Sequence, residues 1–230
     1  MSKGTCYIVL GMHRSGTSAL TGTLLEAGVY LGRVLDQSIK RNPKGLQEAP
    51  AVLYMQEDLL KANGGCWHEP PDVIEWGPLH TAVRDLFIES RADMACWAFK
   101  DPRTLITLDG WLEALPEARP LGIFRHPMAV ARSLESRNGF PIEKGLAVWL
   151  AYNSRLLDWQ QRLHFPVVQC LSDTVAMQNK LRDLLAALDL ETRAPLDFFD
   201  ANLQTVRESE EDRLPDPVRS VWDGLLAHAL

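Results

Sequence analysis

The chain has 230 residues, 46% of them apolar and 23% charged, a balance that excludes a disordered chain and suits one large domain. Its formal charge of −6 excludes nucleic-acid binding by overall basicity, so an anion site has to be built locally from a few cations and backbone amides. Four cysteines (Cys6, Cys66, Cys96, Cys170) without a CxxC pair, an apolar start too short for a signal peptide and no run of about 18 apolar residues lead to the expectation of a soluble, cytoplasmic protein that needs no metal.

Cys6 to Leu10 is a short apolar run followed at once by glycine, which reads as a strand buried on both faces of a parallel sheet. Leu20, Leu24 and Leu25 then recur at helical spacing, with Gly28 placed to end the helix. Residues 29–50 are irregular, with turn signals at Asn42-Pro43 and Lys44-Gly45, before a helix over about Ala51–Lys61. The stretch from Gly64 to Pro71 breaks order again. With Trp67 and Trp76 in or near it, the segment around 63–78 reads either as an acceptor-side lid or as a packed surface loop.

A helix over about Leu79–Arg91 leads to a strand at Cys96–Phe99, and a third strand follows at Leu121–Phe124. Pro127 suits the first turn of a helix whose apolar side is Val130, Ala131 and Leu134. Ile142 to Leu157 fit a long amphipathic helix, Pro166–Leu171 a fourth strand, and Thr174–Leu188 another helix. The acidic run Glu208–Asp212 reads as a solvated linker before a last helix over about Val218–Ala229. Strands alternating with helices predict a single α/β domain: a P-loop-type, doubly wound parallel sheet with helices on both faces.

Ligands of such sheets bind outside the carboxyl ends of the strands. Three polar clusters fall there: Gly11 to Ser18, Lys100 to Arg103, and Arg125 onward. The first, Gly11-Met12-His13-Arg14-Ser15-Gly16-Thr17-Ser18, has the spacing of G-x-x-x-x-G-K-[ST], but Thr17 stands at the lysine position. Its glycines let amides curl around an anion at a helix N-terminus, and Arg14 supplies the missing cation as a bidentate fork. Arg125 at a strand end and Ser133, about two turns into the next helix, can converge on a second phosphate.

On these residues the chain resembles the sulfotransferases that use 3′-phosphoadenosine 5′-phosphosulfate (PAPS), and above all their bacterial, Golgi-like branch. The stretch from Gly11 to Ser18 is similar to that family's 5′-phosphosulfate loop, and Phe124-Arg125-His126-Pro127 with Ser133 to its 3′-phosphate motif. Asn42 to Glu48 and Lys100-Asp101-Pro102-Arg103 also resemble stretches of bacterial members, so the similarity runs from about Cys6 to Leu157. It implies that Arg14, Ser15, Gly16, Thr17 and Ser18 hold the 5′-phosphosulfate, that Arg125 and Ser133 hold the 3′-phosphate, and that no metal is required.

The resemblance also implies that Lys100 neutralises the leaving oxygen and that Glu48 is the base, with His13 and His68 as rivals. Asp101 and Arg103 are expected to brace one another. The implied partners are PAPS and an acceptor hydroxyl or amine of a carbohydrate, lipid or small metabolite. After the fourth strand the chain departs from bacterial relatives, with Leu171-Ser172-Asp173 where they often carry an aromatic and acidic stretch. Two other readings stay open: a P-loop kinase with Asp101 on magnesium, and a nucleotide-binding module without catalysis.

Overall fold

The computed structural model describes residues 4–38, 44–191, 196–200 and 213–230. The turn at Asn42-Pro43 and the acidic run 208–212 lie outside the described residues. Four strands, β1 (Thr5–Leu10), β2 (Cys96–Lys100), β3 (Arg119–Phe124) and β4 (Val167–Gln169), form one sheet in the order β2-β1-β3-β4. Every pairing is parallel, with Val9 opposite both Lys100 and Leu121. Short apolar strands of this kind leave no face for water, and β1 is buried along its length from Cys6 to Leu10.

Alternate strand residues feed two cores. Cys6, Ile8 and Leu10 join a large cluster with α2 (Pro50–Ala62), α3 (Pro78–Glu89), α4 (Thr104–Ala114), α5 (Pro127–Asn138), α6 (Ile142–Leu163) and α8 (Asp216–His228). Tyr7 and Val9 face the other way, onto α1 (Thr17–Glu26) and α7 (Thr174–Ala187). Both faces of the sheet are thus covered, as the alternation predicts. Proline in the first turn starts α2, α3 and α5, where its missing N–H costs nothing. Asp173 caps α7 by accepting from the Ala176 amide at 2.7 Å.

The helix α4 is absent from the sequence-based expectation. Its sequence is rich in β-branched residues (Thr104, Ile106, Thr107) and is buried nearly all round, so no amphipathic stripe betrays it. α6 also runs six residues beyond the expected Leu157, to Leu163, and β4 is confined to three residues of the expected six. Among the described residues, no helix is long and apolar enough to cross a membrane.

Candidate active site

The loop between β1 and α1 is shaped by two glycines that tolerate no side chain. A Cβ on Gly11 would lie 2.5 Å from the Ile123 carbonyl oxygen and 2.7 Å from the Thr17 methyl. Gly16 has φ +92°, and a Cβ there would meet Cys170 Sγ at 2.7 Å. Between them Arg14 is held at φ 68°, an uncommon conformation for a residue with a side chain. Gly16 caps α1 without a side chain, so the first-turn amides of the helix keep their donors for a ligand. Among the described residues the Ser15 hydroxyl has no hydrogen-bond partner, although it is buried. An orphaned buried hydroxyl beside uncapped amides is the chemistry of an anion cradle.

The second cluster meets the first directly. Arg14 Nε donates to Ser133 Oγ at 2.9 Å, although 119 residues separate them in the chain. Adjacency of β1 and β3 explains the meeting, because it sets the loop after β1 beside the start of α5. Arg125 follows β3 directly and is 6% exposed. Its backbone is pinned by Trp149 Nε1, which donates to the Arg125 carbonyl at 2.9 Å. The resemblance implies opposite ends of one nucleotide for Arg14 and Ser133; here they already touch, with Arg125 at the head of the same segment.

The third cluster rests on residues 46–48. The amides of Leu46 and Gln47 both donate to the Leu35 carbonyl, at 2.7 and 3.0 Å, and the Leu35 amide donates to the Glu48 carbonyl at 2.9 Å. This clamp presents Glu48 to Lys100, whose Nζ lies 2.7 Å from Glu48 Oε1. Lys100 also donates to the Leu46 carbonyl at 2.5 Å, the oxygen that accepts from Ser18 Oγ at 2.9 Å. Lys100 and Glu48 are 2% and 5% exposed. A buried, hydrogen-bonded pair therefore stands beside the anion loop, with Lys100 Nζ 3.5 Å from Ser18 Oγ.

Asp101 and Arg103 do brace one another. Arg103 Nη1 donates to both Asp101 oxygens, at 3.1 and 2.9 Å, and the Arg103 amide donates to Oδ1 at 2.8 Å. Arg103 Nη2 reaches Glu57 Oε1 at 2.6 Å. Burial pushes the Asp101 carboxyl up to about 6, against the opposing pull of Arg103. With its oxygens occupied and the residue fully buried, Asp101 has no opening for the magnesium that a kinase reading requires.

A cavity of about 270 Å³ opens between these clusters, lined in part by His13, Arg14, Glu48, Glu57, Trp67, Arg137 and Asn138. His13 packs against Trp67 (centroids 4.8 Å) and Tyr152 (5.9 Å). Burial, then the nearby cations Arg103, Lys100, Arg137 and Arg14, hold its imidazole well below the usual histidine range. Of the two candidate wall tryptophans only Trp67 lines the cavity, its backbone held by Tyr152 Oη donating to the Trp67 carbonyl at 2.8 Å. Trp76 is a correction: it packs edge-on against Trp111 at 6.0 Å and fills the space over Gly110. His68 also stands outside the lining, turned onto Phe140 at 5.2 Å.

Cys66, His68 and Glu69 place ligand atoms within 4.8 Å of one another, but Glu69 is already paired with Lys144 at 2.9 Å. Sequence reasoning passed over Glu57, Arg137 and Asn138, which sit on helices where a polar residue reads as solvated; no local signal singles them out.

No protein-family model matches this sequence, and no curated protein matches it. Among solved structures, the sulfotransferase domain of the Synechococcus PCC 7002 olefin synthase superposes with a TM-score of 0.63 at 16% identity, over 100% of this chain and 97% of that one. Sulfotransferase STF1 from Mycobacterium tuberculosis H37Rv aligns over 98% of this chain and 77% of its own, with a TM-score of 0.47 and 15% identity. The first superposition shows that this chain has the fold of a sulfotransferase domain.

Proposed function

We propose that this protein is a sulfotransferase that moves a sulfuryl group from PAPS to a hydroxyl or amine of its acceptor. The observation that carries the reading is the 2.9 Å contact of Arg14 with Ser133, which sets the anion loop and the segment that starts at Arg125 side by side. One nucleotide with two anionic ends needs two such grips close together. The shared fold supports the same reading, and so does the glycine cradle with its orphaned Ser15 hydroxyl.

In this reading Arg14, the Ser15 and Thr17 hydroxyls and the amides of residues 16–18 hold the 5′-phosphosulfate, while Arg125 and Ser133 hold the 3′-phosphate. The acceptor oxygen or nitrogen attacks sulfur as the bond between sulfur and the bridging oxygen of the 5′-phosphate breaks. The breaking bond leaves its electron pair on that oxygen, and adenosine 3′,5′-bisphosphate departs. Lys100, beside Ser18 of the loop, neutralises the charge that grows on the oxygen. Glu48 takes the acceptor proton, a role worth about 10²–10⁴-fold for a positioned base. As Lys100 turns toward the leaving oxygen it loosens its hold on Glu48, which frees the carboxylate for the proton.

Calorimetry tests the assignment. Arg125→Ala should weaken adenosine 3′,5′-bisphosphate far more than adenosine 5′-phosphate, with chelator present throughout. Equal weakening of the two nucleotides would remove the 3′-phosphate from Arg125 and the donor with it.

A further inference from the structure

The cations around the cavity are not equally engaged. Lys100 is paired with Glu48 at 2.7 Å, and Arg103 with Asp101 at 2.9 Å and Glu57 at 2.6 Å. Arg14 is turned to Ser133 and the anion loop. Arg137 lines the same cavity, is exposed, and forms no ion pair with a carboxylate among the described residues. Its place in the last turn of α5 suits the helix dipole, yet any cation there would satisfy that. His13 lines the same cavity, and burial, then the nearby cations Arg103, Lys100, Arg137 and Arg14, hold its imidazole well below the usual histidine range. Trp67, Leu53 and Leu134 supply the apolar surface between.

We propose that the acceptor carries an anionic oxygen group, such as a carboxylate, beside the hydroxyl or amine that is modified, and that Arg137 receives this group. The inference rests on the sulfotransferase reading of the same cavity. The compact body of the acceptor lies along Trp67, its nucleophile faces Glu48 and its anion reaches the guanidinium at the rim. A planar fork binds an oxyanion with two parallel hydrogen bonds, which makes arginine a specificity element and not only a source of charge.

The experiment is a transfer assay, with PAPS as donor and product read by mass, on matched acceptors that differ only in charge. Suitable pairs are 4-hydroxyphenylacetate against its amide and glucuronate against glucuronamide. The wild type should favour the acid in kcat/KM by roughly tenfold, the size of a charge-assisted contact. Arg137→Gln should erase that preference, Arg137→Lys should restore part of it, and both should bind adenosine 3′,5′-bisphosphate like the wild type. Equal use of acid and amide overturns the proposal, as does transfer to none of the acids by a protein that binds the bisphosphate. Weaker bisphosphate binding in Arg137→Gln also overturns it, by assigning Arg137 to the donor. A wild type that binds no bisphosphate instead brings down the sulfotransferase reading itself.

Discussion

Two buried ion pairs share the end of β2, and they are built to opposite ends. Asp101 is held at both ends: both oxygens take Arg103 Nη1, and one takes the Arg103 amide as well. Among the described residues the Glu48 carboxylate has one partner, Lys100 at Oε1, and the residue lines the cavity. Lys100 in turn has the Leu46 carbonyl and Ser18 Oγ as other partners. A carboxylate that is fully buried and held at both oxygens suits architecture, although its partner Arg103 also lines the cavity and has its Nε buried without a hydrogen bond among the described residues. A pair whose carboxylate residue lines a cavity, and whose cation has other partners, can change partners during a reaction. Under the proposed function, the adjacent residues Lys100 and Asp101 of one sequence motif would serve turnover and architecture respectively.

The largest effect expected from breaking this contrast is on stability. Asp101→Ala leaves the Arg103 guanidinium buried with only Glu57, and should cost about 3–5 kcal/mol in denaturant unfolding. Any residual folded fraction should still bind adenosine 3′,5′-bisphosphate. Glu48→Gln should do the reverse, cutting turnover about 100-fold or more with little change in melting temperature. Lys100 keeps its carbonyl and hydroxyl partners in that variant, which is why the fold should tolerate it. If Glu48→Gln unfolds the protein and Asp101→Ala spares it, the two roles are reversed.

A smaller effect is expected from pH. The Asp101 carboxyl is raised to about 6 in the fold, above its ordinary 3.8, so between these values the native state binds more protons than the unfolded chain. This group therefore adds stability as pH falls from 6 toward 4, and that share is lost as pH rises back through 6. Asp101→Asn cannot titrate, so the melting temperature of the wild type relative to this variant should rise on acidification over that interval. A gap that stays constant would mean that Arg103 keeps the carboxylate ionised throughout.

Much of this was legible in the sequence because buried parallel strands and their glycine turns are local signals. Cys6 to Gly11, Phe124 to Pro127 and the loop through Ser18 can each be read without knowing what lies beside them. Helix α4 could not, because a helix buried on all sides has no polar face to mark its period. The Arg14–Ser133 contact depends on β1 pairing with β3, and the cavity depends on α2 and α5 both contributing to its lining. Trp76 misled for the same reason: beside a glycine-rich loop it looks like a binding surface, and only the packing on Trp111 and Gly110 shows otherwise.

The left-handed backbone at Arg14 places that position under two opposed selective pressures. Relaxing the strain by Arg14→Gly would favour folding by about 1 kcal/mol, since glycine alone occupies that region freely. Drift toward glycine would thus be rewarded in any lineage that had lost the need for the activity. Under the proposed function the grip of Arg14 on the donor offsets that cost, so the residue at this single position in a homologue is a cheap indicator of whether that copy still works.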